Sequence, residues 1–132
     1  MIGLDTGFFV ALLGGHPEAV RVWKDLVEGE DSVTSCLTLY ELRALAMRGK
    51  ITLVGAEAVL EAIPAVSRVL WLDHGDTLAQ AARLTHGLGL PAMDALILAD
   101  LLEAGATVVY STDVHMETGH RKGVKVVNLK NR

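Results

Sequence analysis

Short apolar segments with the length of buried strands alternate along this chain with longer segments that have helical spacing. Nearly continuous apolar strands are typical of parallel sheets that are covered on both faces. Strands separated by helices of roughly 10 to 15 residues are typical of βαβ crossovers. The alternation therefore predicts an α/β fold, a three-layer α/β/α sandwich with a mostly parallel central sheet. The predicted strands are Ile2 to Asp5, Ser32 to Ser35, Val66 to Leu72, Thr107 to Tyr110 and Val124 to Leu129.

Prolines and glycines mark the ends of the predicted helices, because proline suits the first helical residue and glycine the residue after the last. No repeat or linker interrupts the pattern, so we expect residues 1–132 to form one domain. Phe8 to Leu13 is predicted to be an apolar turn or a helix. The predicted helices are residues 18–28 after Pro17, Thr38 to Arg48, about Ala56 to Ile63 with an end at Pro64, residues 77–86 capped by Asp76 and ended by Gly87, and Pro91 to Glu103.

The charge balance limits the kinds of partner that the chain can hold. It has 12 basic and 16 acidic residues, a net charge of −4, which is not expected of a protein that grips nucleic acid through charge alone. Two divalent cations bound among the acids would offset this excess. No apolar segment approaches the roughly 20 residues of a membrane span, and the start lacks the pattern of a signal peptide. The single cysteine, Cys36, fits a reducing setting, so we expect a cytoplasmic protein with no membrane partner.

Four acidic residues are predicted to meet at one edge of the sheet. Ligands of open parallel sheets bind outside the carboxyl ends of the strands. Asp5 ends the first predicted strand, and Asp113 closely follows the strand T-V-V-Y-S-T. Glu41 and Asp94 lie in the first turns of predicted helices that start at the same edge. We therefore expect these four carboxylates to face one crevice.

Each of these acids, taken alone, has a simpler explanation. Asp5 and Asp113 are suitable caps for the segments that follow them. Glu41 has the capping-box spacing to reach back to Thr38. Asp94 suits the first turn of a helix, where the helix dipole favours negative charge. The sequence alone leaves these alternatives open.

Two acids of the same predicted helix differ in their surroundings. Asp94 is followed at helical spacing by an apolar stripe, and a carboxylate there is difficult to bury without a charged partner or a metal ion. Asp100 is followed three residues later by Glu103, which predicts an ordinary solvated face.

Four converging carboxylates repel one another, and their pKa values rise unless cations bind among them. Hard oxygen ligands, without a cysteine or paired-histidine motif, favour magnesium or manganese over zinc. One or two such ions suit phosphoryl chemistry, in which they activate water and stabilise the leaving oxygen. The expected reaction is hydrolysis of a phosphodiester backbone.

The opening G-L-D-T-G also contains the D-T-G of aspartic proteases, but those enzymes are almost entirely β-strand. The extensive helical spacing of this chain argues against that class.

The order of these motifs resembles the PIN-domain family, in particular its VapC-type toxins of prokaryotic toxin–antitoxin pairs. The likeness covers nearly the whole chain, and each motif is short. The motifs are Leu4-Asp5-Thr6, the S-x-x-T-x-x-E-L of Ser35 to Leu42, the P-A-M-D-A-L-I-L-A of Pro91 to Ala99, and the S-T-D of Ser111 to Asp113.

This resemblance implies a magnesium- or manganese-dependent endoribonuclease. Its acidic site would consist of Asp5, Glu41, Asp94 and Asp113. Thr6 and Ser111 would be supporting polar residues that orient carboxylates or water. The resemblance further implies a homodimer, and a small antitoxin that inhibits by inserting a segment into the active-site groove.

The chain departs from the family pattern at two positions. Gly7 stands where many relatives carry Asn or Ser, and His115 stands where many carry a further acid. The first departure removes a polar contact, and the second weakens the expectation of a second metal site. Alternative functions are a housekeeping RNA-processing or DNA-directed nuclease, and a PIN-like binding module with weakened catalysis.

Basic residues near the motifs are candidates to contact the RNA backbone, since phosphate contacts position nucleic acid on a protein. The alternative for each is a solubilising surface charge. The candidates are Arg43, Arg48, Arg121, Lys122 and Lys125.

Overall fold

The computed structural model describes residues 1–113 and 123–129, and within them it has five strands and six helices. The strands are β1 (Ile2–Leu4), β2 (Ser32–Ser35), β3 (Arg68–Leu70), β4 (Val108–Ser111) and β5 (Lys125–Asn128). The helices are α1 (Thr6–Leu13), α2 (Pro17–Val27), α3 (Cys36–Met47), α4 (Leu53–Val66), α5 (Gly75–Leu88) and α6 (Ala92–Glu103). No helix in this part of the chain is long and apolar enough to cross a membrane.

The five strands form one sheet in the order β3-β2-β1-β4-β5, and every pairing is parallel. The chain builds the sheet outward from β1 to β3, then returns to add β4 on the other side of β1. The strand order therefore reverses between β1 and β4. In open parallel sheets this is the point where a crevice forms beyond the carboxyl ends of the strands.

Two apolar clusters cover the two faces of the sheet. One contains Val33 and Val109 from the strands and packs against α5 and α6. The other contains Leu4 and Val127 from the strands and packs against α1, α2, α3 and α4. Side chains alternate between these clusters along each strand, as the pleat requires. The predicted three-layer sandwich is confirmed.

Helices α4 and α5 extend beyond the predicted segments at both ends, and α1 and α3 begin two residues earlier than predicted. Helix α4 continues through Pro64 to Val66, so strand β3 begins only at Arg68. A proline in the last turn interferes with few helical hydrogen bonds, and the amide of Ser67 still closes the helix on the carbonyl of Ile63 at 2.8 Å. The prediction that this helix stops at Pro64 is therefore wrong.

Helix α5 is longer at both ends than the predicted segment. It begins at Gly75, so Asp76 lies in the first turn and is not the cap. It runs through Gly87 and ends before Gly89, whose φ of 69° is the left-handed conformation that glycine adopts readily.

Asp100 is buried, contrary to the prediction of a solvated face. Its exposed fraction is 5%, because α6 lies between the sheet and α5 and most of its faces are covered. Burial raises the pKa of Asp100, a hydrogen bond with the Ser35 side chain lowers it, and the nearby charge of Asp73 raises it further. The three-residue spacing from Asp100 to Glu103 describes only one face of the helix, so it did not predict that the Asp100 side chain is covered.

Candidate active site

A cavity of about 230 Å³ opens where the strand order reverses. It is lined by all four of the predicted acids, which the fold brings together from four separate elements. Their convergence is a feature of the structure, and their catalytic role remains a prediction. The lining residues include Asp5, Thr6, Gly7, Glu41, Asp94, Thr112 and Asp113.

Asp5 lies between β1 and α1 and is 3% exposed. It is the N-cap of α1, and its Oδ1 accepts a hydrogen bond of 3.1 Å from the amide of Phe8. Burial raises the pKa of Asp5 to about 7, against the lowering effect of hydrogen bonds from Ser111 and Phe8, and the charges of Asp113 and Glu41 add to the increase. Asp5 therefore both caps helix α1 and contributes a carboxylate to the acidic cavity.

Ser111 connects two of the acids. It is the last residue of β4 and is fully buried. Its hydroxyl oxygen accepts a 2.9 Å hydrogen bond from the amide of Asp113, and its side chain hydrogen-bonds with Asp5. Ser111 thus fixes the turn that carries Asp113 relative to Asp5.

Thr6 orients the third acid. Its hydroxyl donates to Oε1 of Glu41 at 2.6 Å and lies 3.1 Å from the hydroxyl of Thr38. Helix α3 begins at Cys36, with Ser35 as its N-cap, so Glu41 lies in the second turn rather than the first. The capping-box alternative for Glu41 is therefore wrong, because Thr38 is already inside the helix.

Asp94 lies in the first turn of α6, as predicted. The pKa of Asp94 is raised to about 7, and burial is the largest cause. A hydrogen bond with Asp113 and the charges of Asp113, Glu41 and Asp5 raise it further. A hydrogen bond between two carboxyl groups requires a proton on one of them, and the raised pKa is consistent with a proton on Asp94. The cluster is therefore electrostatically crowded and favours any positive charge that enters it.

The donor set fits a hard divalent cation in its chemistry, because all four side chains offer carboxylate oxygens. The side chains as placed do not form a finished coordination shell. In residues 1–113 and 123–129, no group of three or more His, Cys, Asp or Glu residues is arranged to hold a metal ion. Thr6 holds Glu41, and Asp94 is hydrogen-bonded to Asp113. Asp94 and Asp113 would be among the residues that hold a cation, and its charge would favour the loss of the proton that they share.

Thr112 is a lining residue that sequence reasoning missed. A Cβ atom added to Gly7 would lie 2.7 Å from the amide nitrogen of Thr112 and would also clash with its hydroxyl. The side chain of Thr112 therefore fills the space beside Gly7, where an Asn or Ser side chain would otherwise lie. The only available signal was the position of Thr112 within S-T-D, beside two predicted site residues.

Replacing Gly7 by Ala should destabilise the fold by about 1 to 3 kcal/mol, because overpacking against Thr112 forces the backbone to shift. Gly87→Ala is the matched control. Gly87 is also helical and a Cβ there meets nothing within 4 Å, so its replacement should stabilise by roughly 0.5 to 1 kcal/mol. Urea unfolding of both variants tests this. Equal stabilisation by the two substitutions would contradict the close contact.

The candidate RNA-contacting residues are placed unequally. Arg43 and Arg48 are exposed on or at the end of α3, and neither lines the acidic cavity. Arg48 follows Glu41 by seven residues and so lies on the same side of the helix, whereas Arg43 follows by two and points to the far side. Lys125 is exposed on β5. Arg121, Lys122 and His115 lie outside the described residues.

Comparison with known proteins gives a family and a fold. The family model described as "PIN domain" matches residues 2–118. A search of curated proteins gave no match.

Three solved structures are similar over nearly their full length. VapBC2 from Rickettsia felis, bound to a DNA fragment from its promoter, gives a TM-score of 0.73 at 16% identity, covering 97% of this chain and 98% of that chain. A toxin–antitoxin complex from Klebsiella pneumoniae gives a TM-score of 0.72 at 18% identity, covering 98% of each chain. VapC20 from Mycobacterium tuberculosis, a sarcin–ricin loop cleaving toxin, gives a TM-score of 0.69 at 24% identity, covering 95% of this chain and 99% of that chain.

At these identities the solved structures establish the fold, and the family assignment rests on the match to the family model. That match spans most of the 132 residues, from the start of β1 past Asp113. The chain belongs to the PIN-domain family.

Proposed function

We propose that this chain is a divalent-cation-dependent endoribonuclease of VapC type, the toxin of a toxin–antitoxin pair. The observation that carries the proposal is the convergence of Asp5, Glu41, Asp94 and Asp113 on one cavity beyond the carboxyl ends of β1 and β4. Similarity to VapBC structures and to an RNA-loop-cleaving toxin supports the nuclease class.

The four acids would hold one or two magnesium or manganese ions, which activate water and stabilise negative charge on the phosphate and leaving oxygens. Ser111 keeps Asp5 and the turn carrying Asp113 in a fixed relation. Thr6 holds the Glu41 carboxylate at one orientation. Such fixed side chains reduce the reorganisation needed when a phosphodiester enters the cavity. Arg48, which is exposed on the Glu41 side of α3, would contact the RNA backbone further along its path.

A small antitoxin and a second copy of the chain are the proposed protein partners. The neighbouring structures include toxin–antitoxin complexes that match over almost their whole length. Apolar side chains around the connection between α3 and α4 are also exposed, with Met47 at 86% and Val54 at 79%, and such exposed apolar residues suit a protein interface.

The alternative of a binding module with weakened catalysis loses one of its two arguments. Gly7 leaves no gap in the site, since Thr112 fills the space and brings a hydroxyl to the same cavity. The other argument concerns His115, which lies outside the described residues. A housekeeping nuclease on the same fold remains the second candidate, and a small antitoxin reading frame beside this gene would favour the toxin.

The test is cleavage of a structured RNA by purified protein after treatment with EDTA and then with added Mn²⁺ or Mg²⁺. We expect cleavage only when a divalent cation is restored. A duplex DNA of the same sequence serves as the control substrate. Cleavage that persists in EDTA, or no cleavage of any RNA under either condition, would contradict the proposal.

The hydrogen bond from Thr6 to Glu41 provides a finer prediction. Thr6→Val keeps the shape of the side chain and removes the hydroxyl, so the rate of cleavage should fall by about 10- to 100-fold, as for other residues that orient metal ligands. Thr6→Ser keeps the hydroxyl and should retain most activity. Cleavage by Thr6→Val at the rate of the unaltered protein would show that this contact is not needed.

A further inference from the structure

A second cavity, of about 340 Å³, lies beside the edge strand β3 and shares no lining residue with the acidic site. We name it the β3 cavity. Its wall comes from β3 and the segment after it, from the start of α5, and from the second half of α6. The residues that matter for its chemistry are Arg68, Trp71, Asp73, His74, Asp100 and Glu103.

Asp100 is the buried member of this wall, at 5% exposure. The Ser35 side chain hydrogen-bonds with its carboxylate, yet its Oδ2 atom has no hydrogen-bond partner among the described residues. A buried carboxylate oxygen without a donor costs free energy, and in folded proteins such atoms are usually satisfied. The unmet oxygen therefore indicates a donor that this part of the chain does not supply.

The mouth of the cavity combines an indole with charged and polar groups, among them Arg68 and a His74 ring that lies 3.4 Å from the carboxylate of Asp73. Trp71 is 66% exposed, which is unusual for so large an apolar side chain. Asp73 and Glu103 add two further carboxyl groups to the same lining. An indole face next to carboxylates attracts a flat or alkyl cation, through cation–π contact and charge-assisted hydrogen bonds.

The acids of the β3 cavity are not arranged for a metal ion. Over the ranges 1–113 and 123–129, no group of three or more His, Cys, Asp or Glu residues is placed to hold one. An organic cation needs no such shell, because it can donate hydrogen bonds to one carboxylate while its remaining atoms lie on the indole. The volume is also of the size that accommodates one small ligand or side chain.

We propose that the β3 cavity is a binding site for an organic cation, a guanidinium or primary ammonium group, whose charge meets Asp100 and whose flat or alkyl part packs on Trp71. The group would come either from a free polyamine or from an arginine or lysine side chain of a peptide. This site is independent of the acidic site and of the proposed nuclease activity.

The experiment uses the intrinsic fluorescence of Trp71. The chain has two tryptophans, so Trp23→Phe leaves Trp71 as the only one. This protein is titrated with spermidine, with acetyl-Gly-Arg-Gly-amide, and with the same peptide carrying neutral citrulline. We expect saturable binding of a cation and none of the citrulline peptide. Tighter binding of the arginine peptide assigns the source to a protein side chain, and tighter binding of spermidine assigns it to a free polyamine.

Asp100→Asn, in the same background, should weaken cation binding at least about tenfold, since a charge-assisted hydrogen bond becomes a neutral one. Glu57→Gln is the matched control, because Glu57 is exposed on α4, which packs on the opposite face of the sheet from α5 and α6, and it should leave binding unchanged. Should Asp100→Asn fail to fold, Trp71→Leu measured by calorimetry replaces it, with an expected loss of about fivefold.

Three results would overturn the proposal: no saturation by either cation, equal binding of the citrulline peptide, or equal affinity in the variants and the control. Arg68 provides a further check, because it is an exposed cation on the same lining. Binding that appears only after Arg68→Gln would mean that the chain's own arginine occupies the cavity, and the proposal for the intact protein would be wrong.

Discussion

Replacing Asp94 by Asn should lower the rate of RNA cleavage at least about a hundredfold while the protein remains folded. If the proposed function holds, a cation in the acidic cavity would contribute several kcal/mol of charge stabilisation to phosphoryl transfer, and each 1.4 kcal/mol is about a factor of ten in rate. Asn keeps the volume of Asp but provides only one neutral oxygen as a ligand. Single-turnover cleavage with saturating Mn²⁺ gives the rate, and circular dichroism checks the fold.

Asp5→Asn should produce the same loss by the same reasoning, and it is the safer of the two for folding. Asn is as good an N-cap as Asp, so the hydrogen bond from the amide of Phe8 can be kept. The exposed Asp31→Asn is the control and should cleave normally. Full activity in either site variant would remove that carboxylate from the catalytic site.

The stability of the cation-free protein should fall as the pH rises from about 4 to about 7. The pKa of Asp5 is about 7 in the folded state against an ordinary value of 3.8. Between these values the folded chain holds a proton that the unfolded chain has lost, so the free energy of unfolding decreases with increasing pH. A difference of roughly three pKa units corresponds to about 4 kcal/mol, as an upper figure for this one group.

Urea unfolding in EDTA at about pH 5 and pH 7.5 measures this effect. The unaltered protein should lose stability across the interval, and Asp5→Asn should lose several kcal/mol less, since the amide has no proton to release. Contributions from Asp94 and Asp100, whose pKa values are also raised, should largely cancel in the comparison, apart from the direct influence of Asp5 on Asp94. Added Mn²⁺ should restore stability at pH 7.5 only in the unaltered protein. Parallel pH profiles for the two proteins would contradict the interpretation.

The positions of the strands and the edge at which the acids lie could be predicted from sequence. Ser32–Ser35 was predicted without error, and β1 ends one residue earlier than predicted. Strands β4 and β5 differ from the prediction by one residue at each end, and β3 by two residues at each end. Asp94 lies in the first turn of α6, as expected. These features depend on neighbouring residues, because short valine-rich segments, prolines and glycines act on the backbone within a few positions.

Boundaries set by several neighbours were harder to predict. Helix α3 starts at Cys36 because the Ser35 hydroxyl caps it, and this moved Glu41 from the first turn to the second. Helix α4 tolerates Pro64 because the proline falls in the last turn, where little of the helix depends on it. Such outcomes follow from competition between local preferences and the packing of the whole element.

The sequence by itself determined the α/β alternation, the parallel sheet and the sheet edge at which the four acids lie, because these depend on local periodicity and on the direction of each crossover. Only the tertiary structure decided that Thr112 fills the space beside Gly7, that Thr6 holds Glu41, and that Asp100 is buried beside the β3 cavity. These contacts join residues that are 35 to 105 positions apart or depend on which helix face is covered, and no local pattern encodes a distance in space.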